Sequence, residues 1–358
     1  MRPWKMCGTA VVVALAVGAC GNGNGSGGGT GAADGAGRGG DGFPVRVADC
    51  RGVVTTFTAA PRRIVTSNAA ALEMLLRLGA GDRVIGTGFP PGKGTLPGKL
   101  GEAARRIPVL GKSVIAKEKL LGSGADLYVD TFSSMGNMGG AGSAPTDEEF
   151  RAAGIKHVPL ASTACASTAK EPQRDLSGVA GDITRLGAVT GTAQRARELV
   201  AGMRDKVGKV HKAIGAVPKE KRPGYFFFDF DAGTKQPMAV CGKQVANAVI
   251  TQAGARNVFA GCDGDFRPVP WEDVVAKDPD WIQLGVRNRG DAAATAKAYD
   301  RAEAFLRTFP ATKGLRAVRE GRFLRIGSER TTIAGVGNAD AVEQIARTLY
   351  PARFTAGR

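Results

Sequence analysis

Histidine is scarce in this chain: two in 358 residues, with only four tyrosines and three tryptophans. His157 and His211 are well separated in sequence and neither lies near a cysteine, which leaves little room for histidine-based catalysis or a zinc site. There is no nucleophile elbow, no phosphate-binding Gly-Lys-Thr loop, no His-Glu-x-x-His and no Cys-x-x-Cys. The enzyme reading shrinks to a membrane-tethered extracellular hydrolase, and the chain is expected to carry no catalytic residues and no metal ligands of its own. Aromatic residues are 6% of the chain and no basic cluster is interleaved with them, so a net charge of +16 does not point to nucleic acid. Beyond the first nineteen residues no apolar run is long enough to span a bilayer.

What is present at the N-terminus reads as an export signal. Arg2 and Lys5 precede the apolar run 9–17, and Gly18, Ala19 and Cys20 follow. Removing residues 1–19 lowers the net charge by two, to +14. Residues 20–42 then form a tether: from Gly21 to Gly42, twelve of 22 residues are glycine, and nothing there can bury apolar surface. Its r.m.s. reach is about 25 Å.

The remaining body divides into an N-terminal lobe over 43–174, a connecting segment over 175–217 and a C-terminal lobe over 218–354. In the connecting segment Val179, Ile183, Leu186, Val189, Ala193, Ala196, Val200, Met203, Val207, Val210 and Ile214 recur at steps of three and four, one apolar stripe on a helix. Gly187 and Gly191 weaken its middle and Thr192 is placed to N-cap, so the spacing predicts a short helix, a break, and a helix over 192–216 about 37 Å long. On either side short apolar strands alternate with helices: strands at 63–66, 82–85, 126–130 and 157–160, then at 225–230, 281–284 and 323–326, with helices at 69–78, 116–121, 245–253, 274–276 and 341–349 among them. That alternation predicts an α/β fold, two lobes with mainly parallel sheets joined by one long helix. An internal echo supports two similar lobes. Glu118 and Glu272 each open a helix, and Asp126 and Asp280 follow eight residues later, just before a strand.

Ligands of open parallel sheets bind beyond the carboxyl ends of the strands. That rule selects Asn68, Phe89, Phe132, Ser133 and Met135 in the first lobe, and Asp231, Arg287, Asn288 and Arg330 in the second. Aromatics offer flat contact area, and arginine offers a planar fork of donors. Four cysteines, Cys50, Cys165, Cys241 and Cys262, allow three pairings outside the cytoplasm. One bridge per lobe, Cys50–Cys165 and Cys241–Cys262, is the economical choice.

Several stretches resemble the substrate-binding proteins of ABC importers for ferric siderophores, haem and cobalamin. Val17-Gly-Ala-Cys20 resembles a bacterial lipobox, which implies an acylated Cys20 and a lipid anchor on the extracytoplasmic face of the cell membrane. Pro61–Val65, Leu78–Gly86, Glu118–Val129, Trp271–Leu284, Ala317–Leu324 and Asp340–Pro351 are similar, in that order, to segments of the family, with Ala125 where a proline is frequent. The resemblance covers about 58–351. It implies two α/β lobes on one long helix that close little on binding, a pocket that also takes in Lys112, Phe266 and Arg267, and one glutamate per lobe, Glu118 and Glu272, that pairs with arginine on the permease. It implies a monomer that binds a ferric siderophore, with iron arriving only inside the ligand. Cobalamin or haem is the alternative, haem being disfavoured because neither histidine sits at a strand end.

Overall fold

The computed structural model describes residues 42–131 and 144–354. Phe132, Ser133, Met135 and Cys20 lie outside the described residues. The chain begins with an antiparallel hairpin, β1 (Val45–Ala48) and β2 (Val54–Phe57), which the sequence reading missed.

The first sheet follows. Its strands are β3 (Ile64–Thr66), β4 (Val84–Thr87), β5 (Leu127–Asp130) and β6 (Lys156–Pro159), all parallel in the order β4-β3-β5-β6. Between β3 and β4 runs α1 (Ala69–Leu78), which stops at Gly79, whose φ of 79° is open to a residue without Cβ. Between β4 and β5 come α2 (Gly98–Arg106) and α3 (Lys117–Leu121), and α4 (Asp147–Ala152) leads into β6. The expected strand at 82–85 begins two residues later, because Gly81–Arg83 makes a 3₁₀ turn first. After β6 come α5 (Ala161–Ala164) and α6 (Ser177–Val189), and then the long helix α7 (Ala193–Ile214).

Twenty-two residues make α7 about 33 Å long. Ala196, Val200, Met203, Val210 and Ile214 are its buried stripe. The break before it is Gly191, at φ 69°. Thr192 sits at the N-cap position, yet its hydroxyl meets that of Thr190 at 2.8 Å and caps nothing. Gly187 does not weaken the helix junction as expected. A Cβ there would lie 2.3 Å from that of Ala196, so this glycine is where α6 and α7 come close.

The second sheet repeats the first. Its strands β7 (Gly224–Asp229), β9 (Arg256–Asn257), β11 (Trp281–Gly285) and β12 (Phe323–Arg325) are parallel in the order β9-β7-β11-β12, so in each sheet the first strand lies between the second and third. β8 (Met238–Val240) and β10 (Phe266–Pro268) form a small antiparallel pair beside it. The helices are α8 (Val245–Gln252), α9 (Trp271–Lys277), α10 (Ala292–Thr308), α11 (Arg316–Arg319), α12 (Ser328–Thr332), α13 (Gly337–Leu349) and α14 (Pro351–Phe354). In place of the extended stretch expected from Val258 stands the two-residue strand β9, which begins two residues earlier.

The echo of Glu and Asp has a structural meaning. α3 and α9 each lead into the third strand of their sheet. Asp126 accepts the N–H groups of Arg62 and Arg63 at 2.7 and 2.9 Å, just before β3, and Asp280 accepts that of Gly224 at 2.6 Å, where β7 begins. In both lobes a carboxylate ahead of the third strand fixes the start of the first.

One apolar core runs through both lobes, from Phe57, Ile64 and Leu72 across α6 and α7 to Val249 and Val342. Away from it the second lobe packs Phe226, Phe228, Trp271, Phe305 and Phe309 together. Both disulfides pair as expected. Cys50–Cys165 ties the hairpin turn to the end of α5, and Cys241–Cys262 ties the end of β8 to the turn after β9, across α8. At the seam Gln173 donates from Nε2 to the carbonyls of Ser162 and Lys243, 2.7 Å each, and Thr163 accepts the Ala334 N–H at 2.7 Å.

Candidate ligand-binding site

The loop after β4 meets the loop after β11. Lys93 donates its backbone N–H to the Gly290 carbonyl at 2.8 Å. The loops at the carboxyl ends of the two sheets therefore come together, and the space they bound is the candidate ligand cleft, since open parallel sheets hold ligands beyond those strand ends.

At the first lobe's edge, Asn68 and Thr131 follow β3 and β5. Asn68 is 2% exposed. Its carbonyl oxygen accepts from Ala70 and Ala71 and its amide donates to Thr131, so the side chain N-caps α1 and joins two strand ends. Ser67 adds a hydroxyl 3.2 Å from that of Thr131. Phe89 is half-buried with φ of 32°, a left-handed backbone that a bulky residue rarely adopts. It is held on both sides, donating to Ser113 O and accepting from Ala69 N. Strain of this kind concentrates at functional sites. Lys112 is exposed one residue before Ser113.

The second lobe brings together more charge than the sequence reading foresaw. Asp231 accepts the Arg287 N–H at 2.7 Å and pairs with the Arg289 guanidinium. Glu329 accepts the Asn288 N–H at 2.8 Å. Asp229, the last residue of β7, is 8% exposed, and one of its carboxylate oxygens has no hydrogen-bond partner among the described residues. Burial raises its pKa, Arg287 at 3.9 Å opposes and Asp231 adds to the rise. Tyr299 lies behind, its hydroxyl pushed up to about 12, chiefly by burial and then by Glu329. Arg330 is exposed with no side-chain acceptor among the described residues.

Phe266 packs on Phe227, Val240 and Ala246 under the β8–β10 pair, and Arg267 beside it is exposed. Asp229, Arg289 and Glu329 were missed. A signal for Asp229 was available, because a carboxylate closing a six-residue apolar strand marks the strand's carboxyl end. The histidines are engaged elsewhere. His157 lies within β6, 3.2 Å from Asp130 and stacked on Phe150, and His211 on α7 meets the Gln252 carbonyl at 3.1 Å. Tyr225 donates to Gln283 Oε1 at 3.0 Å inside the second sheet. Among the described residues no group of three or more His, Cys, Asp or Glu is set to hold a metal, and no helix is long and apolar enough to cross a membrane. A cavity of about 620 Å³ is lined by Ser162, Gln173 and Arg185, next to the seam where Gln173 bonds Lys243 of the second lobe.

Glu118 and Glu272 sit in the first turns of α3 and α9, exposed and without an ion pair among the described residues.

Comparison with known proteins agrees with this architecture. The family model described as periplasmic binding protein matches residues 135–329. A cobalamin-binding protein of Halobacterium salinarum is 27% identical over 259 residues, 71% of this chain, and the match spans 62% of that relative's length. An ABC transporter substrate-binding lipoprotein of Bacillus subtilis, itself uncharacterised, is 22% identical over 87% of both chains. Among solved structures, a periplasmic binding protein from Veillonella parvula superposes with a TM-score of 0.72 at 23% identity, covering 87% of this chain and 99% of that one. A protein of the ABC-type Fe3+-hydroxamate transport system from Saccharomonospora viridis gives 0.69 at 25% identity, covering 86% and 99%. The family-model match over residues 135–329, more than half of the chain, makes this chain a member of the periplasmic binding protein family, and the two parallel sheets joined by one long helix agree with it.

Proposed function

We propose that this protein is the extracytoplasmic solute-binding component of an ABC importer, which captures a ferric siderophore and delivers it to the membrane permease. In this reading Cys20 carries the lipid anchor and residues 21–42 are the tether. The observation that carries the ligand class is the arginine-rich edge of the second lobe. Arg287 and Arg330 offer guanidinium forks, Arg287 only loosely held by Asp229 at 3.9 Å, and such forks suit the oxygen-rich face of a hydroxamate or catecholate complex. Likeness to the hydroxamate-transport protein supports it. The iron would come with its own ligands, which accords with His157, His211 and Tyr225 being engaged in β6, on α7 and inside the second sheet. Likeness to a cobalamin-binding protein supports cobalamin as the second reading.

Titration calorimetry against ferric hydroxamates, ferric catecholates, cobalamins and haem tests this directly. One ferric siderophore class is expected to bind with a Kd of about 1 μM or below, worth about 8 kcal/mol. Absence of saturable heat with every member would sink the reading, and preference for a cobalamin would replace the ligand. Calorimetry suits this protein better than intrinsic fluorescence. Trp281 begins β11, about 16 Å of strand away from the cleft edge, and Trp271 is buried with its indole N–H on Thr234.

A further inference from the structure

We infer that residues 90–97 form a strap that closes the mouth of the cleft by docking on residues 287–291, and that it lifts to let ligand pass. The inference rests on the cleft being the ligand site.

The strap is Pro90-Pro-Gly-Lys-Gly-Thr-Leu-Pro97. Its base is rigid: Phe89 is locked by backbone bonds to Ala69 and Ser113, and Pro97 is the N-cap residue of α2. Its tip is a turn, in which Thr95 donates both its N–H and its hydroxyl to the Gly92 carbonyl, at 3.1 and 2.8 Å. That turn aims the Lys93 N–H at Gly290.

The surface it lands on is braced. Arg287 N is held by Asp231, Asn288 N by Glu329 and Arg289 N by Thr295, while the Asn288 side-chain oxygen accepts the Gly290 N–H at 2.7 Å. With that oxygen fixed, the strap can reach Gly290 only if position 92 has no side chain. A Cβ on Gly92 would lie 1.8 Å from Asn288 Oδ1 and 2.3 Å from its Cγ. Asn288 thus acts first as the seat of the strap. Among the described residues, the contact across the mouth includes this fit and a backbone hydrogen bond, weak enough to open without disturbing the shared core behind. A braced seat with a Pro- and Gly-rich segment hinged over it is the build of a gate.

Spin labels at Lys93→Cys and Lys297→Cys, two exposed positions on the strap and on α10, read the gap in a Cys20→Ser background. The ligand-free protein is expected to show one narrow, short distance population, and Gly92→Val to lengthen it. Association and dissociation of ferrioxamine B, or of whichever member of the ferric siderophore, cobalamin and haem panel binds, should both quicken in Gly92→Val by fivefold or more, with affinity changed less. Asn288→Ala, which removes the seat without adding bulk, should act in the same direction and covers the case in which Gly92→Val does not fold. A broad distance distribution in the unmodified strap overturns the inference. So does a short distance whose loss leaves both rate constants unchanged. If nothing in the panel binds, the ligand reading falls, and the strap stands or falls on the distance.

Discussion

Asp229 is destabilising for the fold where it stands. It closes a strand whose six residues are all buried, and one oxygen finds no donor among the described residues. A carboxyl whose pKa is higher folded than unfolded binds more protons in the folded state between those two values. Stability therefore falls as pH rises through that window, and the deficit stays at higher pH. Asp182, wholly buried under α5 yet bonded to Ala161 and Ser162, is raised by burial in the same sense, so the wild-type slope contains both groups. Asp229→Asn separates them. Relative to the wild type its melting temperature should rise by about 2 °C or more between about pH 4 and about pH 7. A difference that does not vary with pH would mean that Asp229 is ionised at no cost. The cost of keeping a carboxylate with one unbonded oxygen here is consistent with a residue retained for what enters the cleft.

At the scale of elements, much was legible because apolar spacing and glycine punctuation agree. The helix at 69–78 was read to its last residue, since Leu72, Leu75 and Leu78 face inward and Gly79 takes the left-handed stop. α7 was legible for the same reason, and its ends fall within two residues of those expected. α10 was not. Its buried face is Ala298, Ala302 and Leu306, and alanine on both faces blurs the stripe. The β1–β2 hairpin was missed because its turn carries Cys50 and Arg51 in place of a two-residue Asn-Gly signal. The strand rule picks residues that do lie at the strands' carboxyl ends, while the strap depends on how two distant loops meet, which no local pattern encodes. Glycine shows the same divide between local and tertiary cause. Gly187, Gly202 and Gly208 all lie inside helices, but only Gly187 has a neighbour in the way. Gly187→Ala should destabilise by about 1–3 kcal/mol through the clash with Ala196. Gly202→Ala and Gly208→Ala, both exposed on α7, should each stabilise by about 0.5–1 kcal/mol. Urea unfolding of the three variants decides it, and equal signs would mean that α6 can shift to make room.

For the whole molecule, the shared core makes α7 a wall common to both lobes instead of a free linker, and it holds the two sheets as a pair with matching strand order. The match extends to Glu118 and Glu272. Each opens a helix that turns back by a short connection into its sheet's third strand, which sets the helix N-terminus toward the strands' carboxyl ends and hence beside the cleft. A carboxylate at a helix start is favoured by the dipole and, where exposed and unpaired, is free to accept a bidentate arginine. Two such posts on a rigid body would fix the register of a permease over the mouth of the cleft. If they merely support their helices, Glu118→Ala and Glu272→Ala should each lower stability by about 0.5–1 kcal/mol and leave transport unaffected. If they dock, the double variant should keep its ligand affinity in calorimetry and lose uptake of the labelled ferric complex by cells, with a charge reversal on the permease restoring part of it. Normal uptake by the double variant would remove the docking role. Loss of ligand binding in the purified double variant would place the two glutamates in the cleft itself, a position their location in the first turns of α3 and α9 argues against.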